Sequence, residues 1–75
     1  MDILHGTYRH FKGEICEVVG VGRNSETLEQ VVIYRALKDD DEFGKDALWV
    51  RPLTMFTESV THEGKLVPRF KKLPR

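Results

Sequence analysis

Short stretches of alternating apolar and polar side chains follow one another along the chain, separated by turn residues at close spacing. A period of two is typical of β-strands, and strands this short and closely spaced favour a small barrel or sandwich. No stretch keeps a 3.6-residue apolar period, which argues against a helical bundle. The pattern predicts four strands and a final hairpin, over residues 7–12, 15–23, 30–37, 48–51, and 59–62 with 65–67.

Two of these predicted strands carry further information about the sheet. Residues 30–37 are apolar on both faces, as expected of a central strand that is buried on both sides. Gly20 and Gly22 interrupt the strand before it and predict a bulge or sharp bend, which small barrels need where a strand turns a corner.

One short helical turn is expected after the fourth strand. Proline cannot donate a hydrogen bond to a sheet, so Pro52 ends that strand, and residues 52–56 fit one turn with proline at its first position. Met55 and Phe56 are predicted to point inward from this turn. The core is expected to include Val19, Val32, Tyr34, Val50 and Phe56.

The composition indicates a single small domain. With 75 residues, of which 40% are apolar and 32% charged, the chain fits one folded domain with a core of about residues 6–70 and a basic tail at 71–75. A single cysteine, Cys16, rules out an intramolecular disulfide, and no apolar run is long enough for a signal peptide or a membrane span. We expect a cytoplasmic protein that does not interact with membranes.

The net charge is zero, which argues against general nucleic-acid binding, but the charges are unevenly distributed. Residues 39–46 hold five acids and one lysine, whereas residues 68–75 hold four basic residues and no acid. These segments are expected to be an acidic solvated loop and a frayed basic tail. The alternative is a tail that contacts an acidic partner or a phosphate backbone.

Five ordered motifs make the chain similar to a known family. They are Gly6-x-Tyr8-x-His10-Phe11-Lys12-Gly13, Ser25-Glu26-Thr27-x-Glu29, Val32-x-Tyr34-Arg35, Trp49-Val50-Arg51-Pro52-x-x-Met55-Phe56 and Pro68-Arg69-Phe70. Over nearly its whole length the chain resembles a family of short bacterial proteins that form a domain of unknown function. The resemblance implies an SH3-like barrel or roll, in agreement with the strand pattern. Together they predict an all-β fold of five or six short, mostly antiparallel strands with one short helical turn. It implies no activity, ligand or catalytic residue, and a fold by itself supplies none.

The residue types that carry most metal and covalent chemistry lack the spacing that such chemistry needs. His5, His10, His62 and Cys16 include no tight pair typical of a zinc site, so no metal is expected. Cys16 lies within a predicted strand, where a thiol is usually buried and inert. The segment 20–22 has neither the third glycine nor the helix of a phosphate-binding loop, and no cofactor is predicted.

Large aromatic and basic side chains form the remaining candidate site. Alternation along residues 48–51 places Trp49 and Arg51 on one face and Leu48 and Val50 on the other. If Leu48 and Val50 enter the core, Trp49 and Arg51 form a partly exposed pair that suits stacking and bidentate recognition of a carboxylate or phosphate. The candidate ligand-binding residues are Tyr8, His10, Trp49, Arg51 and Arg69.

This face leads to functional hypotheses of different classes. The first is a non-catalytic binding module for a peptide, a nucleotide-like ligand or a short single-stranded nucleic acid. The second is a small enzyme that uses His10 as an acid or base beside Glu26 or Glu29. A third is an oligomerisation or regulatory unit. A purely structural interpretation also stays open, in which the aromatic side chains serve the core and Arg51 is paired internally with Glu26 or Glu29.

Overall fold

The computed structural model describes residues 5–37 and 42–74. These residues form seven strands and one short helix. The elements are β1 (Gly6–His10), β2 (Ile15–Arg23), β3 (Gln30–Ala36), β4 (Leu48–Pro52), α1 (Leu53–Phe56), β5 (Ser59–His62), β6 (Lys65–Pro68) and β7 (Phe70–Lys72). Five strands form one antiparallel sheet in the order β4-β3-β2-β1-β7, and β5 and β6 form a separate antiparallel hairpin.

The predicted all-β fold with one short helical turn is confirmed. Each of the first six strands begins within one residue of its predicted start. The structure has one strand more than predicted, because residues 70–72, placed in or beside a basic tail by the sequence, form β7 and pair with β1. Within residues 5–37 and 42–74 the strands form two sheets and do not close into one barrel. Most of the acidic run, residues 39–41, and the final residue, Arg75, lie outside the described residues.

The turns follow from residues that accept unusual backbone conformations. Glu63 and Gly64 have φ values of 52° and 79°, and two consecutive positive φ values are what the tightest hairpin connections require. In β2 the pairing with β3 shifts register between Val18 and Gly20, so the bulge predicted from the glycines of this strand is present.

The core lies against one face of the five-stranded sheet and is built around α1. Phe56, only 1% exposed, stacks on Phe70 with ring centroids 4.1 Å apart and meets Tyr8 edge-on at 5.4 Å. Aromatic contacts of this kind stabilise a core beyond the area that they bury. The buried residues of this core are Tyr8, Cys16, Val18, Val32, Leu53, Phe56 and Phe70.

Three of the core predictions are wrong. Val19 and Val50 are 40% and 63% exposed, and Met55 is 41% exposed, while Leu53 takes the inward position that Met55 was expected to hold. β4 lies at the edge of the sheet, and its outward side chains have no layer above them among the described residues. Alternation assigns side chains to two faces, but it does not indicate which face the rest of the chain covers.

The described part of the chain contains no helix long and apolar enough to cross a membrane.

Candidate functional site

A cavity of about 280 Å³ opens on the same face of the sheet as the core. Its walls come from β1, β2, β3, β4 and β7, so distant parts of the sequence meet there. We call it the aromatic cavity. Its lining includes His10, Glu14, Cys16, Tyr34, Trp49, Arg51 and Phe70.

The edge strand β4 places two of the predicted residues in this cavity. Trp49 pairs across strands with Tyr34, and Arg51 pairs with the fully buried Val32, so both side chains lie on the inner face. Leu48 and Val50 lie on the outer face and are 64% and 63% exposed. The prediction that Trp49 and Arg51 share a face is therefore confirmed, but this pair, and not Leu48 with Val50, lies on the core side of the sheet.

Arg51 lies in the cavity without an acidic partner among the described residues. Its guanidinium carbon is 5.5 Å from the ring centre of Phe70, within the range of a cation–π contact. Its Nε atom is buried and has no hydrogen-bond acceptor in the described part of the chain. Glu26 and Glu29, the acids considered as internal partners, lie in the exposed turn before β3 and make no ion pair with Arg51.

His10 is held in one orientation at the cavity wall. The backbone N–H of Lys12 donates to Nδ1 of His10 at 3.1 Å, so the proton of the neutral ring is on Nε2. The ring also packs edge-on against Phe70 at 5.0 Å. Burial and then the positive charge of Arg51 lower the pKa of His10 below its usual value, while Glu14 acts in the opposite direction. His10 is therefore neutral near pH 7 and offers an N–H donor.

Glu26 and Glu29, the acids that the enzyme hypothesis places beside His10, do not line the cavity. Neither Glu26 nor Glu29 is among the charges that act on the pKa of His10; the carboxylate that does so is Glu14, in the turn between β1 and β2. The backbone N–H of Glu26 donates to the Asn24 side chain, which places Glu26 in a local turn.

The thiol of Cys16 reaches the cavity but is not prepared for reaction. Burial raises its pKa to about 11, and the positive charge of Arg51 acts in the opposite direction. A thiol with this pKa is protonated at neutral pH and is a poor nucleophile.

Two of the five predicted site residues are not part of the cavity lining. Tyr8 is 6% exposed and packs on Phe56 in the core. Arg69 donates from Nη2 to the Glu58 carboxylate at 3.1 Å, and its backbone bonds to both Phe11 and Glu58. Arg69 therefore attaches the β5–β6 hairpin to the main sheet.

Phe70 lines the cavity although it is not among the five predicted site residues. It contacts both Arg51 and His10 and forms the floor on which the two polar groups lie. β7 has three residues, which is too short for an alternation pattern to be recognised. The available signal was its place in the motif Pro68-Arg69-Phe70, which the family resemblance had included.

Comparisons with known proteins support the family and the fold. Residues 6–72 match the model of a family described as a protein of unknown function, DUF1653. The chain is also similar to the crystal structure of a DUF1653 protein from Bordetella bronchiseptica, with 33% identity and a TM-score of 0.85. That match covers 96% of this chain and 88% of the other. No curated protein matches the chain.

Proposed function

The chain belongs to the DUF1653 family of proteins of unknown function, and we propose that it is a non-catalytic binding module whose aromatic cavity takes a nucleotide-like ligand. In this proposal the base stacks against Trp49, and the phosphate binds the guanidinium of Arg51. The neutral Nε2–H of His10 donates a further hydrogen bond.

The observation that carries the proposal is the unpaired Arg51 in a cavity lined by aromatic rings. A buried Nε–H without an acceptor among the described residues is unfavourable, and a phosphate or carboxylate bound at Arg51 would supply the acceptor in a charge-assisted hydrogen bond. Trp49 is 38% exposed and is supported edge-on by Phe43 at 5.1 Å, so part of its ring is open to a planar group.

The size of the cavity favours a nucleotide over a peptide. The cavity volume of about 280 Å³ lies just below the usual range of ligand sites, roughly 300–1,000 Å³. A cavity of this size suits one base with its sugar and phosphate but not a peptide of several residues. Stacking of a base on an aromatic side chain contributes roughly 1–3 kcal/mol and depends little on which base is present. We therefore expect recognition of the nucleotide class rather than of one base.

Calorimetric titration with nucleoside monophosphates tests the proposal, with acidic peptides and the corresponding nucleosides as comparison ligands. Arg51→Met should weaken binding of the monophosphate by roughly tenfold or more, since a hydrogen bond to a charged group contributes about 1.5–3 kcal/mol. The same substitution should leave binding of the nucleoside, which has no phosphate, nearly unchanged. Trp49→Leu should weaken both ligands.

The control is Val50→Thr, because Val50 lies between Trp49 and Arg51 on the same strand but faces outward. It should bind every ligand as the wild type does. The proposal is wrong if the folded wild type binds no monophosphate, if it binds acidic peptides instead, or if Arg51→Met does not distinguish the monophosphate from the nucleoside.

A further inference from the structure

A second depression lies next to the aromatic cavity and carries a different kind of surface. It is an open groove of about 480 Å³ between the end of β1 and the β5–β6 hairpin, and we call it the basic groove. Its cations are Arg9, Lys12 and Lys71, and its aromatic side chains are Phe11 and His62. Nζ of Lys12 lies 5.8 Å from the ring centre of Phe11, which meets His62 edge-on at 5.2 Å.

The three cations of this groove have no acidic partners within residues 5–37 and 42–74. The ion pairs of that part of the chain involve other cations, Arg35 with Glu17 and Arg69 with Glu58, and the Glu63 carboxylate lies 3.8 Å from Nε2 of His62. Arg9 and Lys71 are moreover direct cross-strand partners of β1 and β7. Like charges in directly opposite positions destabilise a sheet unless another group compensates them.

This concentration of charge contrasts with the composition of the protein. The chain as a whole has twelve basic and twelve acidic residues, so its net charge attracts no anion over long distances. Cations without acidic partners in the described chain, beside the half-buried rings of Phe11 and His62, form the combination that tracks a phosphate backbone in single-stranded nucleic-acid sites.

The groove and the aromatic cavity are adjacent, since His10 lines both of them. We propose that the ligand is a single-stranded nucleic acid. One of its nucleotides lies in the aromatic cavity, and the basic groove binds the phosphates of the neighbouring nucleotides. The inference rests on the proposed function of the cavity and extends it. The cavity binds one nucleotide, and Arg9, Lys12 and Lys71 bind the backbone of its neighbours.

The experiment compares thymidine monophosphate with a deoxythymidine hexanucleotide by fluorescence anisotropy, each competing against a labelled hexanucleotide, at several salt concentrations. In the wild type the hexanucleotide should bind at least roughly tenfold more tightly than the monophosphate. The Arg9→Gln/Lys71→Gln variant should lose most of this advantage while its affinity for the monophosphate stays the same. The slope of log K against log salt should decrease in magnitude by about 1.4 in this variant. Each phosphate contact of a single strand contributes about 0.7 to that slope, and the variant lacks two such contacts.

The matched control is Arg23→Gln/Lys65→Gln, which removes the same charge from exposed positions outside both depressions. This variant should keep the hexanucleotide advantage of the wild type. Circular dichroism of both double variants establishes that they are folded, and relieving the repulsion between Arg9 and Lys71 favours folding of the test variant.

The possible results separate the two proposals. A wild type that does not bind the monophosphate contradicts the proposed function of the cavity. If the wild type binds the monophosphate and binds the hexanucleotide no more tightly, the inference about the groove is wrong and the proposed function of the cavity stands. The same holds if Arg9→Gln/Lys71→Gln keeps the higher affinity for the hexanucleotide. An equal gain from a hexaglutamate peptide would also overturn it and would indicate an acidic peptide as the partner of the groove.

Discussion

Arg51 and His10 acquire their chemical properties from their neighbours. The ring of Phe70 covers one side of Arg51 and of His10 and excludes water there. The positive charge of Arg51 opposes protonation of His10. The hydrogen bond from the backbone of Lys12 leaves Nε2 as the protonated nitrogen of the neutral ring. At the scale of single residues the site is thus a fixed cation beside a neutral donor, which is an arrangement suited to an anion.

The lowered pKa of His10 predicts how the stability of the protein depends on pH. The folded chain protonates His10 at lower pH than the unfolded chain, whose value is near 6.5, so the unfolded state binds more protons between the two values. Stability contributed by neutral His10 is therefore present above about pH 6.5 and is lost as the pH falls through the folded pKa. His10→Gln should lose less stability than the wild type between about pH 7 and about pH 5, measured by urea unfolding.

A titration followed by NMR measures the same property directly. Removal of the neighbouring charge in Arg51→Met should raise the pKa of His10 toward its usual value, while the contribution of burial stays. This account of the site is wrong if wild type and His10→Gln lose equal stability as the pH falls. It is also wrong if the pKa of His10 is the same in Arg51→Met as in the wild type.

At the scale of elements, the edge strand β4 decides which side chains form the site. Its inner face carries Trp49 and Arg51, and its outer face carries Leu48 and Val50, which are exposed to solvent. β3 beside it is apolar on both faces, yet Val32 alone among its residues is fully buried. Burial of both faces, which the sequence predicted for β3, would require a second layer, and the described chain provides a layer on one side only.

Matched substitutions on the two strands test this difference between faces. Val32→Thr replaces a methyl group with a hydroxyl in a position that is 0% exposed, and it should reduce the free energy of unfolding by about 1–3 kcal/mol. Val50→Thr makes the same change at a position that is 63% exposed and should cost less than about 0.5 kcal/mol. Both residues stay β-branched, so strand propensity is nearly constant. Chemical denaturation measures the difference, and comparable losses would mean that the outer face is covered in solution.

At the scale of the whole molecule, the C-terminal strand β7 completes both the core and the site. Phe70 stacks on Phe56 of α1, while Phe70 and Lys72 pair with β1 at the edge of the main sheet. Beyond β7 the Leu73 N–H donates a hydrogen bond of 2.8 Å to the Thr7 carbonyl along the same edge. A segment that resembled a solvated tail is therefore part of the structural unit.

Truncation at two points distinguishes a strand from a tail. A chain that ends after Arg69 loses a buried phenylalanine, which alone costs about 3–5 kcal/mol, together with the pairing of β7. A 75-residue domain has a total stability of only about 4–11 kcal/mol, so this chain should not unfold cooperatively. A chain that ends after Leu73 keeps these contacts and should melt close to the full-length protein. Similar melting of both chains in calorimetry would show that β7 contributes little.

The sequence by itself determined the elements and their order. Alternation, the glycine-containing turns and Pro52 are local properties, so they located six strands and the helical turn, and they grouped Trp49 with Arg51. The expected small antiparallel β fold and the family resemblance followed from the same residues.

Only the tertiary structure decided which face of each strand is buried and which side chains meet. Those choices depend on what packs above a sheet, and a periodic pattern is the same whichever face is covered. For this reason Val50 was assigned to the core, Tyr8 and Arg69 were assigned to the site, and Phe70 was not among the predicted site residues. The aromatic cavity forms where five strands from both ends of the chain come together, so its lining is a long-range property that no local pattern contains.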